Sequence, residues 1–216
     1  MSRRITFYYA PHSRASCALA VLEALGAEYD IHMLDLPAGT QRAPEYLAVN
    51  PMGKVPALRH GDAVVTEQVA VMLYLADLYP EAGLTPAIED PLRGPYLRWS
   101  VFYAASFEPA VVDRSLKRDA APAMGSPYGD YDTVIRTLAD QLREGPYLFG
   151  ERFTIADVLW GVALRWTLAF GLVPDEPVFR DYVERVCAHP AVQRASALDA
   201  EYAAAQAREA EAGVAA

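Results

Sequence analysis

Residues 50–58 read NPMGKVPAL, and they introduce a β-hairpin. The β-type runs 55–58 and 63–65 flank the turn residue Gly61, a pattern that predicts two antiparallel strands. Pro56 has no N–H to donate to a sheet ladder, so it marks the start or the edge of a strand. The stretch therefore predicts a hairpin that is entered through a proline.

Helix and strand patterns alternate around this hairpin. Residues 5–9 are β-branched and aromatic, and residues 13–25 carry apolar side chains at helical spacing. A second strand is predicted over 29–36 and helices over 43–49 and 68–79. The order β-α-β-α-β-β-α combines a parallel opening unit with an antiparallel hairpin, so we expect a mixed sheet.

Beyond residue 80 the patterns are almost entirely helical. The predicted helices cover residues 92–117, 128–143, 154–170, 176–188 and 191–208. Pro109 is expected to kink the first of them. The sequence thus predicts an α/β domain (1–80), a linker (81–91) and an all-helical domain (92–216).

Composition narrows the classes of function. The 216 residues are 53% hydrophobic and carry a formal net charge of -9, which disfavours nucleic acid as a partner. The two cysteines, Cys17 and Cys187, form neither a CxxC pair nor a disulfide framework. No apolar run approaches the roughly 20 residues that span a bilayer. We expect a soluble, cytoplasmic protein without membrane or nucleic-acid contacts.

Three motifs in order along the chain carry a family resemblance: YYAPHS (8–13), NPMGKVPAL (50–58) and GERFTIAD (150–157). With the element order, they make the chain resemble the cytosolic glutathione transferases over essentially its whole length. A serine two residues after the loop proline is most similar to the bacterial theta-type classes. The resemblance implies a thioredoxin-like N-terminal domain, a helical C-terminal domain, glutathione as co-substrate, no metal and a homodimer.

Ser13 is the predicted catalytic residue. It stands where a helix N-cap is expected, and helix N-termini favour anions and lower thiol pKa values. Tyr8 and Tyr9 are rivals, because some classes of the family use a tyrosine of the first strand. Cys17 lies one turn into the helix on its apolar face, and we expect it in the core.

The resemblance assigns the cysteinyl backbone of glutathione to Val55, which precedes a cis Pro56 in this family. An extended peptide would pair with that backbone as an added strand. Lys54 has the charge needed for a glutathione carboxylate, although a solvated surface lysine is an equal alternative. His12 is expected to assist electrostatically.

Residues 66–68 depart from the family pattern. Glu67 is the expected acid for the γ-glutamyl ammonium, but Gln68 replaces the usual serine. Gln68 would bind the γ-glutamyl carboxylate through its side chain or only through its backbone N–H. The cap of the following helix would then pass to Thr66.

In the helical half, Tyr103 and Phe107 are one turn apart and belong to an aromatic stripe that would ordinarily be core. The resemblance implies that their helix lines a pocket for a hydrophobic electrophile. Thr154 and Asp157 form a capping-box pattern, to which we assign structure rather than chemistry.

These observations favour a glutathione transferase that activates the glutathione thiol for attack on an electrophilic small molecule. A glutathione-dependent peroxide or disulfide reductase would use the same site. A non-catalytic stress or interaction protein on the same fold is the alternative from another class, and Gln68 is the residue that favours it.

Overall fold

A mixed sheet organises the N-terminal part of the chain. The computed structural model describes residues 3–118 and 121–214. Within them, the strands are β1 (Ile5–Tyr9), β2 (Tyr29–Met33), β3 (Ala57–His60) and β4 (Ala63–Thr66), in the spatial order β2-β1-β3-β4. β2 runs parallel to β1, whereas β3 is antiparallel to both β1 and β4. The predicted mixed sheet is confirmed.

Three helices accompany the sheet: α1 (Ala15–Leu25), α2 (Pro44–Leu47) and α3 (Gln68–Leu78). The order β-α-β-α-β-β-α is therefore the predicted one. It is the thioredoxin-like arrangement that the resemblance implied.

The hairpin forms as predicted, but β3 begins at Ala57, two residues later than the β-type run. Pro56 offers no N–H for a ladder bond, and the Val55–Pro56 peptide bond is cis. Gly61 takes a left-handed φ of 58° in the turn, a conformation that glycine adopts without strain.

The side chains of β1 alternate between two apolar clusters. Phe7 lies edge-on to Tyr29, with ring centroids 6.4 Å apart. On the opposite face, Tyr8 packs against His32 and Tyr46, at 5.1 and 5.6 Å. Cys17 is buried in α1, so its prediction as a core residue is confirmed.

The helical part comprises α4 (Arg93–Phe102), α5 (Glu108–Ser115), α6 (Tyr131–Leu142), α7 (Ile155–Ala169) and α8 (Pro177–Cys187). The helix predicted over 92–117 is interrupted by a π-helical turn at Tyr103–Phe107. A helix-interior proline clashes with the carbonyl four residues earlier, and the wider π turn before Pro109 relieves that clash. The break therefore precedes the proline rather than coinciding with it.

The capping box at the start of α7 is confirmed. The Asp157 carboxylate accepts the Thr154 N–H at 2.8 Å and the Thr154 hydroxyl at 3.1 Å. It also accepts the Leu148 N–H at 2.7 Å and the Tyr182 hydroxyl at 2.9 Å. Asp157 is fully buried, so these four bonds satisfy a carboxylate that water does not reach.

The last helix, α9 (Pro190–Val214), groups with the N-terminal part. The chain divides into one compact unit of residues through Ala82 plus those from Pro190 onward, and a second unit, Gly83–His189. The predicted division into an α/β domain (1–80), a linker (81–91) and an all-helical domain (92–216) stays a prediction. Residues 1, 2, 119, 120, 215 and 216 of these ranges lie outside the described residues. Among the described helices, none combines the length and apolarity needed to span a membrane.

Candidate functional site

The topology brings the motif residues of the first unit to one edge of the sheet. Tyr8 of β1 pairs with Ala57 of β3, and Ala57 pairs with Thr66 of β4. Because β3 is antiparallel to both neighbours, the end of β1, the start of β3 and the end of β4 coincide. The loop with Ser13, the Val55–Pro56 bond and Glu67 therefore follow or precede the strands at this edge.

Ser13 lies in the loop between β1 and α1, two residues before the helix begins at Ala15. Its Oγ accepts the Ala15 N–H at 3.1 Å and donates to the Ala10 carbonyl at 2.6 Å. The Ser16 N–H donates to the Ser13 carbonyl at 3.2 Å. The N-cap position of α1 is Arg14, whose side chain makes no capping hydrogen bond, so the prediction of Ser13 as the N-cap is wrong by one residue. Ser13 lies just before the cap and is partly buried.

Tyr9 is not available as a thiol-activating group in this structure. Its side chain is fully buried, and its hydroxyl donates to the carboxylate of Asp199 in α9. Burial, then the hydrogen bond to Asp199, raise the pKa of Tyr9 well above its usual value. Tyr8 is also buried, among the aromatic neighbours of the second cluster.

Asp199 contacts the candidate site and was not predicted from the sequence. Besides Tyr9, it accepts the Ser16 hydroxyl at 2.5 Å and the backbone N–H of His12 at 3.2 Å. The Nδ1 atom of His12 lies 3.1 Å from its other oxygen. Spacing along the chain could not reveal it, because Asp199 is separated from His12 by 187 positions.

His12 itself has a largely exposed side chain and a backbone φ of 54°. That left-handed conformation is uncommon for a residue with a Cβ. Its assistance to glutathione binding remains a prediction.

The segment before the cis bond is held by its own side chains. The Lys54 carbonyl accepts hydrogen bonds from the Tyr46 hydroxyl and, at 2.8 Å, from Asn50 Nδ2. Burial raises the pKa of Tyr46 to about 12, which keeps this hydroxyl a donor. Lys54 is exposed and Val55 partly exposed, whereas Pro56 is buried. These two hydrogen bonds to the Lys54 carbonyl therefore hold the backbone that leads into Val55.

Gly53 in the same loop has a φ of 59°, and a Cβ there would lie 2.8 Å from the Gln41 carbonyl oxygen. The glycine of the motif is therefore required by both conformation and space.

Glu67 and Gln68 lie where β4 passes into α3. Glu67 is exposed and occupies the N-cap position with φ 67° and ψ 119°, without a capping hydrogen bond from its side chain. Such backbone strain in a residue with a Cβ is typical of functional loops. Gln68 is the first residue of α3 and is partly exposed. The roles of both residues toward glutathione remain predictions.

Tyr103 and Phe107 belong to the second unit. Both are buried there and lie edge-on to Trp160, with ring centroids 5.6 and 5.0 Å away. Within this unit they act as core residues around Trp160. Their assignment to an electrophile pocket remains a prediction.

Comparisons with known proteins show the family to which the chain belongs. The family model "Glutathione S-transferase, N-terminal domain" matches residues 4–77, and "Glutathione S-transferase, C-terminal domain" matches residues 128–194. Glutathione S-transferase F10 of Arabidopsis thaliana is 31% identical over 71% of this chain and 76% of its own length.

Solved structures give the same result. The glutathione transferase of Methylococcus capsulatus superposes with a TM-score of 0.76, at 29% identity over 91% of this chain and 98% of that one. A sphingomonad glutathione S-transferase complexed with glutathione superposes at 0.75, with 26% identity over 90% and 98% of the two chains. The chain therefore belongs to the glutathione S-transferase family and is a glutathione transferase.

Proposed function

We propose that this enzyme binds reduced glutathione at the sheet edge of its first unit and uses the Ser13 hydroxyl to stabilise the glutathione thiolate for attack on an electrophile. The observation that carries the proposal is the position of Ser13 Oγ, bonded to the first N–H of α1. A helix N-terminus stabilises a nearby anion, and a hydroxyl hydrogen bond adds to that effect.

Glutathione would extend along the same edge. Its cysteinyl backbone would pair with the N–H and C=O of Val55, as an added strand does. Its γ-glutamyl group would reach Glu67 with its ammonium and Gln68 with its carboxylate. Lys54 would bind the remaining carboxylate of glutathione through its positive charge. His12 would assist the thiol electrostatically.

The hydroxyl must exchange acceptors during activation. In the structure, Ser13 donates its proton to the Ala10 carbonyl, a neutral acceptor. A neutral hydrogen bond contributes about 0.5–1.5 kcal/mol and one to a charged group about 1.5–3 kcal/mol. Rotation of the hydroxyl toward a thiolate is therefore favourable.

The chemical step then follows in two parts. The S–H bond of glutathione breaks and its proton passes to solvent. The sulfur electron pair forms a bond to the electrophilic carbon, and a leaving group departs with its bonding electrons. A hydrophobic electrophile would be received by the helical unit, for which Tyr103 and Phe107 are the candidates.

The test combines binding and turnover. Retention on immobilised glutathione and conjugation of an aryl chloride such as chlorodinitrobenzene are expected for the wild type, with turnover strongly reduced in Ser13→Ala. Retention without conjugation, but with peroxide or disulfide reduction, would assign the reductase activity instead. Retention with neither activity would identify a non-catalytic binding protein and contradict the proposal.

We also propose that the enzyme is a serine-type member most similar to the bacterial theta-like classes and acts in the cytoplasm without a metal. Its net charge of -9 supports a role without nucleic-acid or membrane partners. A homodimer is expected, and light scattering tests it against the 23.7 kDa mass of one chain.

A further inference from the structure

One carboxylate of α9 contacts the Ser13 loop at three places. Asp199 receives hydrogen bonds from Tyr9 at the end of β1, from the N–H of His12 inside the loop, and from Ser16 in the first turn of α1. Its side chain is only 13% exposed. The contacted residues lie on both sides of Ser13 in the sequence.

The loop needs such a contact. His12 holds a left-handed backbone at φ 54°, which is unfavourable for a residue with a Cβ and persists only where its surroundings fix it. Asp199 binds both the N–H and the Nδ1 of this residue. By contrast, the partners of the Ser13 hydroxyl, Ala10 and Ala15, belong to the loop and the helix start themselves. They cannot hold the loop against the rest of the unit.

We propose that Asp199 is a positioning residue for thiol activation: its carboxylate sets the loop so that the Ser13 hydroxyl meets the glutathione sulfur. This inference rests on the proposed role of Ser13. It gives α9, far along the chain, a part in the chemistry of the N-terminal unit.

The Asp199 carboxylate has two effects of opposite sign on the pKa of the glutathione thiol, so the direction of the change in a variant tests the proposal. As a like charge, it would raise the pKa of a nearby thiol by repulsion. As an anchor of the loop, it lowers that pKa by presenting the Ser13 hydroxyl. We infer that the anchoring effect is the larger.

The experiment follows the thiolate absorbance of bound glutathione against pH, alongside kcat and KM. In Asp199→Ala we expect the thiol pKa to rise by about one unit, from about 6.5 to about 7.5, which lowers the thiolate fraction at pH 7 about threefold. The kcat should fall with it and recover toward wild type at alkaline pH, where the thiol ionises unaided. The KM for glutathione should change little.

The control variant is Arg194→Gln. Arg194 pairs with Glu23 of α1, so its loss weakens the same helix contact without touching the loop. We expect it to lower the melting temperature but leave the thiol pKa at the wild-type value.

Two milder variants keep the test valid if Asp199→Ala unfolds. Tyr9→Phe and Ser16→Ala each remove one donor to the carboxylate. Each should raise the thiol pKa by less than Asp199→Ala does. Combined with Asp199→Ala, neither should raise the thiol pKa further, because the effects of residues that act through one contact are not additive.

An unchanged or lower thiol pKa in Asp199→Ala, or in both single-donor variants if that protein does not fold, would overturn the inference. Failure of the proposed function would look different, because then the wild type itself would bind glutathione without a lowered thiol pKa or show no turnover.

Discussion

The Ser13 hydroxyl oxygen accepts a hydrogen bond from the Ala15 N–H at 3.1 Å. This contact fixes Oγ at the first turn of α1, where the helix dipole favours negative charge. The proton of the same hydroxyl is held by the Ala10 carbonyl at 2.6 Å. A thiolate would be a stronger acceptor than that carbonyl, because charge-assisted hydrogen bonds exceed neutral ones.

Reduced glutathione should stabilise the folded protein. At about 100 times its dissociation constant, a ligand that binds only the native state adds about 2.7 kcal/mol to the free energy of unfolding. Denaturant titrations with and without millimolar glutathione measure this. N-acetylcysteine is the control ligand: it carries the thiol but lacks the γ-glutamyl groups assigned to Glu67 and Gln68, so it should stabilise less. No stabilisation by glutathione would contradict the assigned pairing with Val55.

Gln68 tests how the γ-glutamyl carboxylate is bound. If its side-chain amide donates, Gln68→Ala should weaken glutathione binding by about 1–3 kcal/mol, the range for a hydrogen bond to a charged partner. Gln68→Ser should restore much of the affinity, because the serine hydroxyl is also a hydrogen-bond donor. Isothermal titration of both variants decides, with the exposed Gln193→Ala of α9 as the matched control. Wild-type affinity in Gln68→Ala would leave the contact to the backbone N–H.

The element types and the sheet were predictable because their causes are local. Apolar periodicity, the Gly61 turn and the missing N–H of Pro56 each act within a few residues. The position of Asp199 was not predictable, because it depends on how α9 packs against α1 at the opposite end of the chain. The π turn before Pro109 was missed for a related reason: the sequence locates the clash but not where the helix widens to relieve it.

Gly161 in α7 should not tolerate a larger side chain. A Cβ there would overlap the Cβ and Cγ1 atoms of Val186 in α8, which is fully buried. Gly161→Ala gains helix propensity but overpacks the contact, so we expect a net destabilisation of about 1–3 kcal/mol in denaturant titrations. Gly94→Ala in α4, where nothing lies within 4 Å, should instead be neutral or stabilising. An equal change in the free energy of unfolding for the two variants would contradict the close α7–α8 contact. Adding Val186→Ala should reduce the destabilisation that Gly161→Ala causes, because it removes the overlapping Cγ1 atom.

Asp157 supports the second unit through four buried hydrogen bonds. Asp157→Ala would leave the N–H groups of Leu148 and Thr154 and the hydroxyl of Tyr182 without their acceptor. Each buried unsatisfied group costs about 1–3 kcal/mol, so a loss of about 3–5 kcal/mol is expected by chemical denaturation. Asp140→Ala, at an exposed i,i+3 pair with Arg143, should change stability little.

The pH dependence of this network has a definite sign. Burial raises the pKa of Asp157 above its ordinary value despite its hydrogen bonds. The native state therefore binds the proton more tightly than the unfolded chain, and its stability relative to Asp157→Asn should fall as pH rises from about 3.9 toward the higher native pKa. A relative stability that rises over this range would show that the hydrogen bonds outweigh burial.

The most direct test of Ser13 is the pKa of the glutathione thiol bound to the wild type and to Ser13→Ala, followed by thiolate absorbance. We expect the wild type to hold this pKa about two units below the free value of about 8.5, a difference of about 2.7 kcal/mol. Ser13→Ala should raise the pKa most of the way back to the free value and lower kcat near neutral pH roughly ten- to a hundredfold, with little change in glutathione affinity. Ser13→Thr keeps a hydroxyl and should retain part of the lowered pKa. An unchanged thiol pKa in Ser13→Ala, with the shift lost in Tyr8→Phe or Cys17→Ala instead, would contradict the assignment.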